Sequence, residues 1–209
     1  MRHIIKYLSI SLALFLVIAC GNRTNDKKLV EADSLLSQFK NKEALRLLST
    51  IDNSHYDDSD NAYYYLLQTQ AKCRNNDVFH NDSLIDIAVD YYNSIDDLNL
   101  YTRALICKGE VNEALGNLDI AVDCYHAAED IAAPDDYFHQ GYAKLRLGMV
   151  YQNEYLGVKE IAMEKYKEAL PLLRKIGDRR DEMLCLCHMG HLYRGISGMG
   201  DSAVVYLNQ

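Results

Sequence analysis

The chain has 209 residues, enough for one domain with a sizeable core or for a short repeat array. A hydrophobic content of 49% excludes a wholly disordered chain, and a formal charge of −8 argues against nucleic acid, whose phosphates demand a basic face. Sixteen tyrosines stand against four phenylalanines and no tryptophan, a bias toward side chains with one apolar flank and one wet tip.

The first segment reads as a targeting sequence. Arg2, His3 and Lys6 give a basic start, Tyr7 to Ile18 an apolar run, and Ala19 a small residue at the switch to polar chain. Twelve apolar residues fall short of the ~20 that a spanning helix needs, so residues 1–19 are expected to be a signal peptide. Val17-Ile18-Ala19-Cys20 resembles a bacterial lipobox, in which an aliphatic, a variable and a small residue precede a cysteine. The resemblance implies cleavage before Cys20 and lipid attachment to its thiol. Several acyl chains, at ~0.8 kcal/mol per buried methylene, hold a membrane where a single chain does not. Gly21, in place of the Asp that the resemblance associates with inner-membrane retention, points to the outer membrane. Residues 20–27 are then a lipid-anchored tether. Removing residues 1–19 takes away Arg2 and Lys6 but no carboxylate, moving the formal charge from −8 to −10.

From residue 28 onward the apolar period is helical. Leu29, Ala32, Leu35 and Leu36, then Ala44, Leu45, Leu47, Leu48 and Ile51, predict two short amphipathic helices in residues 28–56. Ala62 to Arg74 and Asp82 to Tyr92 predict a second pair (60–94). A third occupies 98–133, a fourth 136–174, and a fifth, incomplete, 179–209. No alternating run argues for strands, and no Pro-, Ser- or Gly-rich linker divides the chain.

Two rulers run through these pairs. Ala44, Ser83, Ala121, Ala162 and Ala203 can each take one small-residue position of a second helix, at steps of 39, 38, 41 and 41. Asp57-Asp58, Asp96-Asp97 and Asp135-Asp136 recur at intervals of 39, each ahead of a helical stretch, where carboxylates can cap free N–H groups and favour the positive end of the helix dipole. Segments beginning at Gly109, Gly148 and Gly190 share a Gly, then Asn112, Tyr151 or Tyr193 three residues on, a glycine turn and an Ala. In the first two, that Ala is followed by Tyr125 or Tyr166 at +4 and by Ala128 or Ala169 at +7. This pattern resembles the tetratricopeptide repeat, in which small residues let antiparallel helices approach and aromatics fill the gap to the next pair. It implies an all-α chain, an α-α superhelix of about five helix pairs with the last one incomplete. Residues 28–209 form its repeat domain.

The last helix, with Ala203, Val204, Tyr206 and Leu207, would expose apolar surface. A truncated chain is the expected reason, and residues 200–209 are the expected least-protected segment.

Candidate chemistry is sparse. Cys185, Cys187, His188 and His191 invite a metal reading, and Cys187 with His191 has workable i,i+4 spacing. Two ligands do not make a site, so no metal is expected. Cys73, Cys107, Cys124, Cys185 and Cys187 form no disulfide framework, being odd in number and irregular in spacing. Gly195 to Ser202 lacks the lysine of a phosphate loop. No catalytic constellation and no cofactor are expected.

The resemblance also implies a concave surface lined by the first helix of each pair. Its usual facing positions fall on Arg103, Ile106, Glu110 and Glu113, then Tyr142, Leu145, Met149 and Gln152, then Leu184, Cys187, His191 and Arg194. The mixture is moderately apolar and lacks the Lys and Arg cluster that grips a peptide C-terminus. The expected function is a membrane-anchored lipoprotein of the bacterial envelope, similar to those of Bacteroidetes-like bacteria. It binds an unidentified protein or peptide without catalysis, facing the periplasm or cell surface. The alternative is the truncated sensor half of a membrane-bound transcriptional or signalling regulator. Glycan capture is a third class, disfavoured by the lack of Trp.

Overall fold

The computed structural model describes residues 26–153 and 158–195. The expected signal peptide, Cys20, nearly all of the tether and the stretch 196–209 lie outside the described residues.

Among the described residues there are nine α-helices and no strand: α1 (Lys27–Ser37), α2 (Asn41–Leu48), α3 (Asp58–Asn75), α4 (Ser83–Ser94), α5 (Leu98–Leu115), α6 (Leu118–Ile131), α7 (Tyr137–Gln152), α8 (Lys159–Ile176) and α9 (Arg179–Gly195). They form four pairs, α1/α2 to α7/α8, with α9 opening a fifth. Each helix lies against its neighbour in sequence. The first helices α1, α3, α5, α7 and α9 also touch one another in succession, whereas the second helices α2, α4, α6 and α8 do not. Two layers, one closely packed and one splayed, bend the array with the first helices on the inner side. The core runs on without a break, from Leu29, Leu36 and Leu67 through Leu66, Tyr125 and Leu147 to Leu145, Tyr166 and Leu173.

Helix ends are marked by two repeated devices. Every first helix starts on an Asp whose carboxylate accepts from free backbone N–H groups: Asp26 from Lys28 and Leu29, Asp57 from Asp60, Asp97 from Leu100, Asp136 from His139, and Asp178 from Arg180 and Asp181. No second helix has a side-chain cap. The aspartate ruler thus counts first helices. Five helices, α1, α3, α4, α5 and α8, end with one residue in the left-handed region, at Phe39, Asn76, Asp96, Gly116 and Gly177. The next N–H then donates back to the carbonyl five residues earlier, as from Lys40 to Leu35 (2.9 Å) and from Asn117 to Asn112 (2.8 Å).

The paired Gly and Tyr have a steric cause. Gly109 lies so close to the buried ring of Tyr125 that an added Cβ would stand 2.5 Å from Cε1, and Gly148 stands in the same relation to Tyr166. The ring lies across its own partner helix and so locks a pair internally, more than filling the gap between pairs. Its hydroxyl donates to that helix again, Tyr125 to Glu113 (3.0 Å) and Tyr166 to Gln152 (2.7 Å). One ruler position is corrected. Ser83 is exposed at the start of α4, and Ile85 takes the buried place that Ala121 and Ala162 occupy. The buried set Ile85, Ala88, Val89 and Tyr92 keeps the spacing of Ala121, Cys124, Tyr125 and Ala128 with larger side chains.

Candidate functional site: the inner face

The inner face is crossed by polar side chains that tie successive first helices together. Arg103 on α5 reaches past its neighbour to Asp33 on α1 (2.6 Å) and also donates to Gln70 on α3, while Tyr63 on α3 donates to the other Asp33 oxygen (2.8 Å). Tyr142 on α7 donates to Glu110 on α5 (2.6 Å). Arg146 on α7 pairs with Glu113 on α5 (2.7 Å), close to the hydroxyl that Tyr125 brings there. Gln152 joins α7 to His188 on α9 (3.1 Å), whose ring stacks on Tyr166. Arg74, at the end of α3, donates to the Leu36 carbonyl at the end of α1 (2.8 Å).

Burial and pairing set the charge states. Burial acts to raise the Asp33 pKa, but the charge and hydrogen bonds of Arg103, with that of Tyr63, outweigh it and hold the carboxyl below its ordinary value. Burial likewise raises the phenols of Tyr63 and Tyr142, reinforced by Asp33 and by Glu110 respectively, so both stay neutral donors. His139 donates from Nδ1 to the Asp136 carboxylate at 2.6 Å, yet its pKa is lowered by burial, with Arg103 and Arg74 adding to the effect. Asp181 is raised by burial and by Asp178.

The expected groove residues divide into three groups. Arg103, Glu110, Glu113, Tyr142, Met149 and Gln152 are half-buried on first helices, and all but Met149 are engaged in the network above. Ile106 and Leu145 are core residues, 5% and 0% exposed, and offer a partner no surface. Leu184, Cys187, His191 and Arg194 are exposed on α9, where Arg194 and His191 hydrogen-bond to each other. Cys187 holds the position that carries buried Ile106 and Leu145 in the preceding pairs. Sequence reasoning missed Asp33, Arg74 and Arg146. The Glu113–Arg146 and Glu110–Tyr142 contacts join residues 33 and 32 apart, about two helical turns short of the 39-residue step, so neither ruler points to them.

A cavity of about 270 Å³ opens beside this network, lined among others by Cys73, Phe79, Glu110, Glu113 and Arg146. The Cys73 thiol is raised well above its usual value by burial and by the Glu110 charge. Burial also pushes Cys107 and Cys185 up to about 12 and Cys124 to about 11, so all four stay protonated at neutral pH and make poor nucleophiles. Cys185 is buried and donates to the Tyr166 carbonyl while Cys187 is exposed, so the two thiols face different surroundings. Among the described residues no group of three or more His, Cys, Asp or Glu side chains is arranged to hold a metal. No described helix is long and apolar enough to cross a membrane. The donors and acceptors of the inner face are matched to one another.

No family model and no curated protein matches the chain. Solved structures do. A signal transduction ATPase with numerous domains from Pyrococcus horikoshii, which carries a tetratricopeptide repeat sensor, aligns at 17% identity and a TM-score of 0.63 over 87% of this chain. The chain spans 29% of that protein's length. A kinesin light chain protein of nearly identical TPR-like repeats from Podospora anserina aligns at 15% identity and a TM-score of 0.57, covering 87% of this chain and 90% of that one. Identities this low speak for the fold alone, and together with the helix pairing they decide it. The chain folds as a tetratricopeptide-like α-α solenoid.

Proposed function

We propose that the chain is a non-catalytic protein-binding module that receives an extended segment of another protein on its inner face. The observation that carries this is the asymmetry of packing, with first helices in mutual contact and second helices apart, which leaves a curved surface of first-helix side chains. Tyr142, Glu110 and Glu113 are half-buried there, and the carboxylates keep acceptor positions that an incoming backbone can use. In this reading Cys20 is the lipid attachment point, and the module works from the bacterial envelope, at the outer membrane. The tether 20–27 is short, which keeps the solenoid near the surface that anchors it.

The binding test replaces Tyr142 with the photo-crosslinking residue p-benzoylphenylalanine and, separately, Lys167 on the outer surface of α8. Irradiation of membranes should give adducts of defined mass from position 142 and none of the same mass from 167. Identical adducts from both positions would defeat the inner-face reading. The anchor is tested by palmitate labelling of the wild type against Cys20→Ser, and equal label in both would remove it.

A second reading makes the chain the sensor part of a larger signalling protein. The Pyrococcus structure supports it, since that protein carries a tetratricopeptide repeat sensor within a longer chain and this chain aligns with 29% of its length. The reading frame after the Gln209 codon distinguishes the two.

A further inference from the structure

Phe39 is the one helix-ending residue of its kind that the fold does not explain. At the other four left-handed positions stand Asn76, Asp96, Gly116 and Gly177, the residue types that tolerate positive φ. Phe39 takes φ +58° with a Cβ and an aromatic ring, and it leaves 54% of its surface exposed. Strained backbone and exposed apolar surface are both unfavourable, and contacts within the chain cover less than half of the residue.

What surrounds the ring points to its use. The guanidinium of Arg74, from the last turn of α3, lies over the ring at 5.8 Å from its centre. The guanidinium of Arg180, from the first turn of α9, lies over it at 6.0 Å. The α1–α2 turn thus meets the fifth pair, a contact between elements far apart in a solenoid whose units otherwise touch near neighbours. Neither guanidinium forms an ion pair among the described residues, although Arg103, Arg146 and Arg174 each do. Of the carboxylates nearest in sequence, Asp178 caps α9, and Asp181 is buried within reach of both guanidinium charges, which act to lower its pKa but are outweighed by burial and by Asp178. Lys40 follows Phe39 on the turn and Lys42 lies in the first turn of α2, both exposed. On a chain of net charge −8 this is a cationic locus around a solvent-facing ring.

We propose that Phe39, Arg74 and Arg180 form a docking site for an acidic peptide segment carrying apolar side chains. The carboxylates would pair with the two guanidiniums, which have donors to spare, and an apolar side chain would cover the ring. This site goes beyond the inner-face reading, with which it shares only Arg74, and it is read out separately: failure to crosslink at Tyr142 would leave it intact.

The test uses the folded chain and a fluorescein-labelled peptide of alternating Glu and Leu, read by fluorescence anisotropy. Controls are the same peptide with Gln for Glu, and a single-stranded oligonucleotide of equal charge. The Glu peptide should bind with an affinity that falls as NaCl rises, and the Gln peptide at least about tenfold more weakly. Arg180→Gln, on an exposed turn, should cost about tenfold, and Arg46→Gln on exposed α2 less than about twofold. Phe39→Gly separates recognition from folding, because glycine relieves the positive φ. It should leave Tm unchanged or raised while weakening the peptide. A lowered Tm with unaltered affinity would make Phe39 a packing residue and overturn the proposal. So would absence of binding, equal losses in Arg180→Gln and Arg46→Gln, or an oligonucleotide that binds as tightly as the peptide.

Discussion

A hydrogen atom at Gly109 decides how closely α5 and α6 approach. Its replacement by methyl would press on a Tyr125 ring that is fully buried and held by its hydroxyl to Glu113. Overpacking of this kind costs about 1–3 kcal/mol, and alanine returns about 1 kcal/mol of helix propensity. Because an anchored ring cannot swing away, Gly109→Ala is expected to lose about 1–2 kcal/mol in urea unfolding, and an unchanged midpoint would contradict the steric account. Titration offers a second measurement. Asp33 is held below its ordinary pKa in the folded state, so its contribution is present above the unfolded value near 4 and is lost as pH falls through the folded one. His139 is also lowered, so its contribution is present above about 6.5 and declines below that pH. Asp181 is raised and opposes these losses by protonating readily. The urea midpoint should therefore begin to fall below about pH 6.5 and fall again below about pH 4, with Asp33→Asn shrinking only the lower step.

At the scale of elements, first and second helices start differently, and the difference can be measured. The Asp97 carboxylate accepts from the Leu100 N–H at 3.1 Å, so Asp97→Ala should cost about 1 kcal/mol. Pro171 sits inside α8 on its exposed side, where it removes one backbone donor. Pro171→Ala should raise stability, by up to ~3 kcal/mol if the helix is otherwise regular. A fall in the midpoint would mean that the proline itself is required for packing. The ruler of aspartates was legible because N-capping is local, needing only a carboxylate within three residues of a free N–H. The ruler of small residues misplaced Ser83 because the second pair lacks the Gly–Tyr couple. Ile85, Val89 and Tyr92 fill the same volume with different side chains, and only their shared burial shows the equivalence.

For the whole molecule, a solenoid is protected where it is covered on both sides. Amides in α5 to α7 should exchange at least about tenfold more slowly than those in α2, which has eight residues and lies near one end. Equal protection across the array would mean that it unfolds as one unit. Contact between Phe39 and Arg180 brings the first and fifth pairs together and so runs against nearest-neighbour behaviour. If that contact couples them, Arg180→Gln should speed exchange in α1 and α2 while leaving α6 unaltered.

Helix identity, pair count and the places where first helices begin were determined by the sequence alone, through apolar period, aspartate caps and the Gly–Tyr spacing. All three act within a few residues or within one pair. Surface and core on the inner side were decided by the tertiary structure. A repeat pattern assigns the same role to Ile106, Leu145 and Cys187, yet two are buried and one is exposed, because cover depends on which pair lies alongside. Arg103 reaches Asp33 across 70 residues, and Arg146 reaches Glu113 across 33. Such pairings depend on how sharply the array curves, and curvature is the sum of every helix contact along it.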